Sequence, residues 1–287
     1  MSAPLETKTT NVMSLDKKRR NRVQGGWAPP TNIRSDRDKP KPEKLPNWFG
    51  KNVDQPVEKK FVYEDNTQEL REKPPERVIS KPGVYDLSLG PSGLSRIRFF
   101  PNFIEPAEAD WMFNAMHNEL HWQQRSDVKN GISYLQPRLT AWYGDLPYSY
   151  SGVTHMPNKE WPDVLRIIKE RLEEATGNQF NSLLANLYRD GHDHVPWHSD
   201  DEKSLGPEPT IASLSFGDTR NFEMRKKPPS EENGDYMYME HVRIPLSSGS
   251  LLIMEGCTQA DWQHQVPKEY HDRSARINLT FRVIYPE

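Results

Sequence analysis

The sequence has almost no cysteine and no long apolar run, and these two absences exclude several classes of protein. Its single cysteine, Cys257, cannot form an internal disulfide or supply a multi-cysteine zinc or iron–sulfur site. No stretch of 18 consecutive apolar residues is present, and the first residues lack the basic-then-apolar layout of a secretory signal. We therefore expect a soluble intracellular protein, not bound to a membrane, in which histidine and carboxylate hold any metal.

Hydrophobic residues are also scarce, and the shortage lies in the first part of the chain. They make up 34% of the 287 residues, whereas charged residues make up 28%. Before about Arg77 prolines recur, aliphatic residues are few and no apolar period holds. Because such a segment cannot bury enough apolar surface to fold, we predict a disordered tail over 1–76 and one folded domain over 77–287.

The tail and the body carry charge of opposite sign. Residues 1–60 contain 14 basic and 7 acidic residues, a net charge of +7, whereas the whole chain carries −3, so that residues 61–287 carry −10. The run of four basic residues from Lys17 to Arg20, followed by Arg22, is either a nuclear address or an anchor for phosphates. A merely solvated charge run is the other interpretation, and the tail does not decide the function.

Apolar periodicity in the body predicts two helices and many short strands. One helix begins near Pro106 and contains Trp111 in its apolar stripe, and a second spans about 162–175 and ends at Gly177. Strands are predicted at 84–89, 95–100, 182–188, 210–216, 221–225, 241–246, 250–254 and 276–285. Because most strands do not alternate with helices, we predict a mainly β (α+β) fold, an antiparallel barrel or jelly roll with flanking helices.

The stretch "VPWHSDDEKS" places His198 and Asp200 two residues apart. In an extended segment both side chains point to the same face, and two histidines with one carboxylate form the triad that leaves open positions on Fe(II). His264 is the favoured third ligand, because it follows the predicted strand 250–254 and precedes the last strand. His194 is its main competitor. On its own the short spacing is a weak signal.

Independent support comes from polar residues on two predicted strands. In "RINLTFR" Arg276, Asn278 and Arg282 share one face of an otherwise apolar strand, and buried arginines require anions. A dicarboxylate between the two guanidinium groups meets that need, although two surface arginines on an edge strand are the alternative. Upstream, Asn186 and Tyr188 share a face and offer an amide and a phenol. Together these residues predict a site for iron and a dicarboxylic cosubstrate.

The stretches "NLYRD", "WHSDDE", "WQHQVPK" and "RINLTFR" give the chain a family resemblance over about 77–286. It resembles the AlkB-type Fe(II)- and 2-oxoglutarate-dependent dioxygenases, which repair alkylated nucleobases. The resemblance implies a double-stranded β-helix, or jelly roll, and the cofactors Fe(2+), 2-oxoglutarate and O2, with ascorbate in support. It implies that His198, Asp200 and His264 are the catalytic iron ligands. The residues implied to bind 2-oxoglutarate are Asn186, Leu187, Tyr188, Arg276, Asn278 and Arg282.

The same resemblance implies a reaction and its partners. The reaction is oxidative demethylation of 1-methyladenine and 3-methylcytosine in single-stranded DNA and RNA, which releases formaldehyde, succinate and CO2. The implied partner is a helicase complex that supplies single strands, the activating signal cointegrator complex. We expect a monomer that occurs in the nucleus and the cytoplasm.

Aromatic and basic residues are interleaved over 122–150, a composition typical of a lid that stacks bases and contacts phosphates. Core packing is the competing explanation and is preferred for Trp142. The residues assigned to the substrate are Trp122, Tyr134, Tyr148, Ser149, Tyr150 and, behind the triad, Asp201. The Asp201 carboxylate would favour a cationic methylated base, and iron-site electrostatics or a strand-end cap is its other interpretation. The lid tip "DVKNGIS" is less charged than in close relatives, so the strand preference stays open.

Two other functions are weighed against this one. A 2-oxoglutarate-dependent protein hydroxylase would share the iron site but would lack Asp201 and the aromatic lid. A non-catalytic nucleic-acid reader would need neither the triad nor the paired arginines, and the presence of both argues against it.

Overall fold

The computed structural model describes residues 72–129, 131–150, 153–229 and 234–286, and within them two sheets pack face to face. The larger sheet has seven strands, in the spatial order β2 (Gly83–Gly90), β3 (Gly93–Phe100), β14 (Leu251–Gly256), β11 (Ile211–Gly217), β16 (Arg276–Arg282), β9 (Ser182–Tyr188) and β6 (Leu139–Gly144). The smaller sheet has five, in the order β1 (Arg77–Val78), β13 (His241–Leu246), β12 (Arg220–Lys226), β15 (Trp262–Val266) and β10 (Val195–His198). All neighbours are antiparallel except β1 and β13, and the jelly-roll prediction is confirmed.

Two smaller antiparallel pairs and a few helices complete the described part of the chain. The pairs are β4 (Ser126–Lys129) with β5 (Ile132–Leu135), and β7 (Tyr148–Tyr150) with β8 (Val153–His155). The helices are α1 (Pro106–Glu119), α2 (Asp163–Thr176) and the single turn α3 (Thr258–Asp261), with a 3-10 turn at Lys203–Leu205. Among the described residues no helix has both the length and the apolar character needed to span a membrane.

Helices α1 and α2 cover the outer face of the larger sheet. Helix α2 buries one apolar stripe, formed by Val164, Leu165, Ile168 and Leu172. It ends at Gly177, whose φ of 71° is the left-handed conformation that glycine adopts without strain. Both helices were predicted from their spacing, but Trp111 of α1 is 53% exposed, and the smaller Ala109 takes a place in the buried stripe.

Strand β16 shows how the fold separates its two buried faces. Ile277, Leu279 and Phe281 enter the core beneath the helices, whereas Arg276 and Arg282 point into the space between the sheets. The period of two along a strand produces this separation, as the sequence predicted. The polar residues of β16 are therefore enclosed by the smaller sheet.

The main departures from the predicted elements are short strands and the lid. Strands β10 and β15 were not predicted, although they carry two of the candidate ligands. Within the range 122–150, predicted to form the lid, β6 is a buried strand of the larger sheet. The predicted tail over 1–76 and its basic run lie almost wholly outside the described residues.

Candidate metal centre and cosubstrate pocket

The three candidate iron ligands meet between the two sheets. His198 on β10 lies directly opposite His264 on β15, with 4.2 Å between the ring centroids. Asp200 follows in the loop after β10, and its Oδ1 is 3.6 Å from His198 Nε2. One ligand atom from each residue falls within 4.8 Å of the others. His194 does not join them, since its Nδ1 contacts the backbone oxygen of His192 at 2.9 Å and its side chain does not line the cavity.

Hydrogen bonds hold one atom of Asp200 and one atom of His198. Asp200 Oδ2 accepts two bonds from Arg282, at 2.7 Å from Nη2 and 3.2 Å from Nε, whereas Oδ1 is buried and makes none. His198 Nδ1 is 2.8 Å from the Pro196 carbonyl oxygen, so Nδ1 carries the hydrogen and Nε2 keeps its lone pair. A buried carboxylate oxygen without a partner beside two imidazoles fits a divalent cation.

The protonation states also suit metal binding. Burial lowers the pKa of His198, and burial together with the nearby His198 lowers the pKa of His264 to about 3. Burial alone would raise the pKa of Asp200, but the charge of Arg282, followed by the two histidines, holds it below its usual range. At neutral pH the site is two neutral imidazoles and one carboxylate, the donor set of non-heme Fe(II) oxygenases.

Arg276 supplies the same cavity with a cation that has no acidic partner among the described residues. Its side chain is 1% exposed, and only Nη2 is hydrogen bonded, donating to Ser215 Oγ at 3.0 Å. Nε and Nη1 are buried and make no hydrogen bond, and the guanidinium carbon lies 5.1 Å from the centre of the Tyr188 ring. Because a buried charge is costly unless it is paired, this group fits one carboxylate of 2-oxoglutarate.

The other residues assigned to the cosubstrate are placed differently. Arg282 is mostly engaged by Asp200, so that only its Nη1 has no partner. Asn186 and Asn278 line the cavity, but Asn186 Oδ1 accepts a bond from Arg138 Nε at 2.8 Å, and Asn278 Nδ2 donates to Ser213 Oγ at 2.8 Å. The site is thus a hydrogen-bonded polar wall with a few open donors.

Leu187, also implied by the family resemblance, points away from the cavity. Its side chain packs in the core beneath the helices, on the face of β9 opposite to Asn186 and Tyr188, and does not line the cavity. The physical reason is the alternation of side chains along a strand, which puts neighbours on opposite faces. The role of Leu187 in cosubstrate binding stays a prediction, and it would not involve the side chain.

Most residues assigned to the substrate lie near the surface. Trp122 is partly buried and its Nε1 donates to the His117 backbone oxygen at 3.3 Å, and Tyr134 on β5 is 44% exposed. Ser149 is exposed and its hydroxyl is 2.9 Å from that of Thr154. The side chain of Tyr150 lies outside the part that the structure describes. None of the three described side chains lines the cavity.

Tyr148 and Asp201, the other two residues assigned to the substrate, differ in burial. Tyr148 is 1% exposed and stacks on Trp142, with 4.7 Å between the ring centroids and 9° between the ring planes. Its ring is a core group because Trp142 covers it, and the core role predicted for Trp142 is confirmed. Asp201 is exposed and does not line the cavity.

Sequence reasoning missed Glu202 and Gln259, and it predicted Arg138 as a basic residue of the lid but not as a residue of the cavity. Arg138 lines the cavity and bonds to Asn186, and its place one residue before β6 was a usable signal. Burial, followed by the charge of Asp200, raises the pKa of Glu202. Gln259 Oε1 accepts the backbone N–H of Asp200 at 2.9 Å, across 59 residues of sequence. No local pattern announces a contact over that separation.

Comparison with known proteins agrees with this geometry. The family model of the 2OG-Fe(II) oxygenase superfamily matches residues 96–282. The alpha-ketoglutarate-dependent dioxygenase alkB homolog 3 of Mus musculus is 53% identical over 279 residues, which cover 95% of this chain and 97% of that protein. The Homo sapiens protein of the same name is 53% identical over 278 residues, with the same coverage. The DNA oxidative demethylase ALKBH2 of Mus musculus is 40% identical over 185 residues, 63% of this chain and 77% of that protein.

Proposed function

The chain belongs to the 2OG-Fe(II) oxygenase superfamily, and on that premise we propose that it removes methyl groups from N-alkylated nucleobases by oxidation. It is an Fe(II)- and 2-oxoglutarate-dependent dioxygenase. The proposed substrates are 1-methyladenine and 3-methylcytosine in single-stranded DNA and RNA. The proposed products are formaldehyde, succinate and CO2.

One observation carries the catalytic part of the proposal. Two sets of buried polar atoms without hydrogen bonds face one cavity: Asp200 Oδ1, on a carboxylate whose other oxygen pairs with Arg282, and Nε and Nη1 of Arg276. Asp200 Oδ1 can bind a cation, and the Arg276 nitrogens can bind an anion. Burying either without such a partner costs free energy. A metal ion and a dicarboxylate, bound side by side, satisfy both.

The residues divide the work of binding and orientation. His198, Asp200 and His264 would hold Fe(II), and Arg276 would bind the distal carboxylate of 2-oxoglutarate. When bound, iron and 2-oxoglutarate supply with O2 an oxidant strong enough to attack a methyl C–H bond. The Phe222 ring stacks on the His264 ring, with 5.1 Å between the centroids. This contact would shield one face of the imidazole from water and hold its orientation.

The nucleic-acid substrate is proposed from the relatives and from the chemistry of the base. One group of relatives is named for a DNA oxidative demethylase activity, and the alkB homolog 3 proteins match nearly the whole chain. A methyl group on the base-pairing edge is hidden in a duplex, so single strands or flipped bases are the accessible substrates. The exposed carboxylate of Asp201, next to Asp200, would attract the positive charge of such a base.

The cellular setting is proposed on the same resemblance. We propose that the enzyme works as a monomer in the nucleus and the cytoplasm, and that a helicase complex such as the activating signal cointegrator complex supplies its single strands. Light scattering of the purified protein tests the monomer, and imaging of a tagged copy tests the location. Co-purification of a helicase with the tagged protein tests the partner.

The test of the function measures both products at once. Formaldehyde and succinate are followed from a 3-methylcytosine oligonucleotide, single- and double-stranded, with Fe(II) and 2-oxoglutarate. We expect both products from the wild type and neither from His198→Ala, whereas His194→Ala, which changes a histidine outside the cavity, keeps both. Succinate without repair of the base would mean that the substrate lies elsewhere, for instance in a protein side chain.

A further inference from the structure

The carboxylate ligand is carried by a loop that no sheet ladder holds. Strand β10 ends at His198, so Asp200 lies two residues beyond the last strand position. Asp200 is nevertheless 1% exposed, and a buried backbone N–H without a partner would be costly. Something other than the sheet must therefore fix this stretch of backbone.

Gln259 meets that need from the short helix α3. Its side chain is 2% exposed, and Oε1 accepts the Asp200 N–H at 2.9 Å. The Nε2 end is 3.3 Å from the sulfur of Met254, so the amide is held at both ends. Its backbone oxygen accepts a bond from Lys227 Nζ at 3.0 Å. The acceptor that faces Asp200 thus belongs to a buried side chain whose amide has a partner at each end.

Helix α3 is itself anchored to the larger sheet. The Thr258 hydroxyl oxygen accepts the Arg96 N–H at 3.2 Å and donates to the Glu255 carbonyl at 2.6 Å. The Cys257 N–H donates to the Leu94 carbonyl at 2.9 Å. Strand β3, through this turn, gives Gln259 a rigid base.

We propose that Gln259 is a positioning residue for metal binding, acting through the backbone of Asp200. The bonds from Arg282 fix the Oδ2 end of the carboxylate, and the bond to Gln259 fixes the backbone end. With both ends held, Oδ1 is the carboxylate oxygen left facing the two imidazoles, and it is the atom that would hold the metal. The inference rests on the family's iron site and not on the nucleic-acid substrate.

The test compares two variants of equal size in the full-length protein. Gln259→Met removes the acceptor, whereas Gln259→Glu keeps an oxygen at the same place. Co(II) serves as the probe, titrated by its visible absorption without any turnover. We expect Gln259→Met to weaken Co(II) binding by about 10- to 100-fold, the usual effect of losing an outer contact to a metal ligand. Gln259→Glu should stay within about threefold of the wild type.

The matched control is Gln265→Met, which changes a glutamine on the outer face of β15 that bonds to Glu223 at 2.7 Å. It should bind Co(II) like the wild type. Wild-type affinity in Gln259→Met, or equal weakening in Gln259→Glu, would overturn the proposal. If Gln259→Met does not fold, Gln259→Ala, which is too small to clash, carries the same expectation. Failure of demethylation with intact Co(II) binding would count against the proposed function alone.

Discussion

Arg276 should contribute to the binding of 2-oxoglutarate much more than to the stability of the fold. Its buried charge lacks an acidic partner among the residues that the structure describes, so it contributes little to the stability of the empty protein. We expect Arg276→Met to leave the free energy of unfolding unchanged or higher, and to raise the KM for 2-oxoglutarate by roughly 30-fold or more. Urea unfolding and succinate release measure the two. The control is Arg243→Met, which changes an arginine on the outer face of the smaller sheet and should change neither KM nor turnover. An unchanged KM in Arg276→Met would rule out the role of Arg276 in binding 2-oxoglutarate.

His155 makes the stability of the protein depend on pH. Burial, followed by the charges of Arg125 and Arg282, lowers the pKa of this residue from 6.5 to about 4. Below pH 6.5 the unfolded chain takes up a proton that the folded one refuses, so stability is full above that pH and is lost as the pH falls toward 4. In His155→Leu the free energy of unfolding should fall less steeply with falling pH than in the wild type, by up to about 1.4 kcal/mol per pH unit.

Urea unfolding of the metal-free protein between pH 7 and pH 4.5 measures that slope. The other buried histidines titrate equally in both proteins, so the difference between the two curves belongs to His155. His121→Leu, which changes an exposed histidine, should follow the wild-type curve. Parallel curves for wild type and His155→Leu would contradict the expectation.

At the scale of elements, β9 divides its residues between core and cavity. Leu187 packs beneath the helices, whereas Asn186 and Tyr188 face the cavity. Leu187→Ala should therefore lower the free energy of unfolding by about 2–5 kcal/mol and leave the KM for 2-oxoglutarate unchanged. Asn186→Ala should do the reverse, with a raised KM and a smaller loss of stability. A raised KM in Leu187→Ala, measured well below its unfolding midpoint, would restore its implied contact.

The length of a strand decided whether the sequence could predict it. Strands β9 and β13 have the predicted limits, because seven and six residues are enough to show an apolar pattern. Strand β10 has only four residues, one of them Pro196, and an irregular register against β15. Such a segment shows no period, so its role had to be inferred from chemistry. The sequence therefore predicted the metal ligands His198 and His264 but not the strands β10 and β15 that carry them.

Contacts between elements limited how much of the site could be predicted from the sequence. His198, Asp200 and His264 were predicted together because metal chemistry links residue types that lie far apart in sequence. The burial of Tyr148 depends on its stacking against Trp142, a tertiary contact that family resemblance does not reveal. The alternation of side chains along β9 predicts that Leu187 points away from Asn186 and Tyr188, and the structure shows that arrangement.

At the scale of the whole molecule, the charge of the chain is unevenly distributed. Residues 1–60 carry +7 and the remainder −10, so that a polyanion is repelled by the body and attracted by the tail. The basic run from Lys17 to Arg20 is the densest part of that charge. This run lies outside the described residues, and its role in binding is argued from charge alone.

Substitution of Lys17, Lys18, Arg19 and Arg20 by glutamine in the full-length protein should weaken binding of a single-stranded oligonucleotide. Each phosphate contact that is lost should reduce the slope of log affinity against log salt by about 0.7. Fluorescence anisotropy at several salt concentrations measures the slope, and glutamine at Lys39, Lys41, Lys44 and Lys51 removes the same charge elsewhere in the tail. Equal effects would mean that net charge alone attracts the strand. An unchanged slope in both variants would place the phosphate contacts on the folded body, where its basic side chains must overcome a net charge of −10.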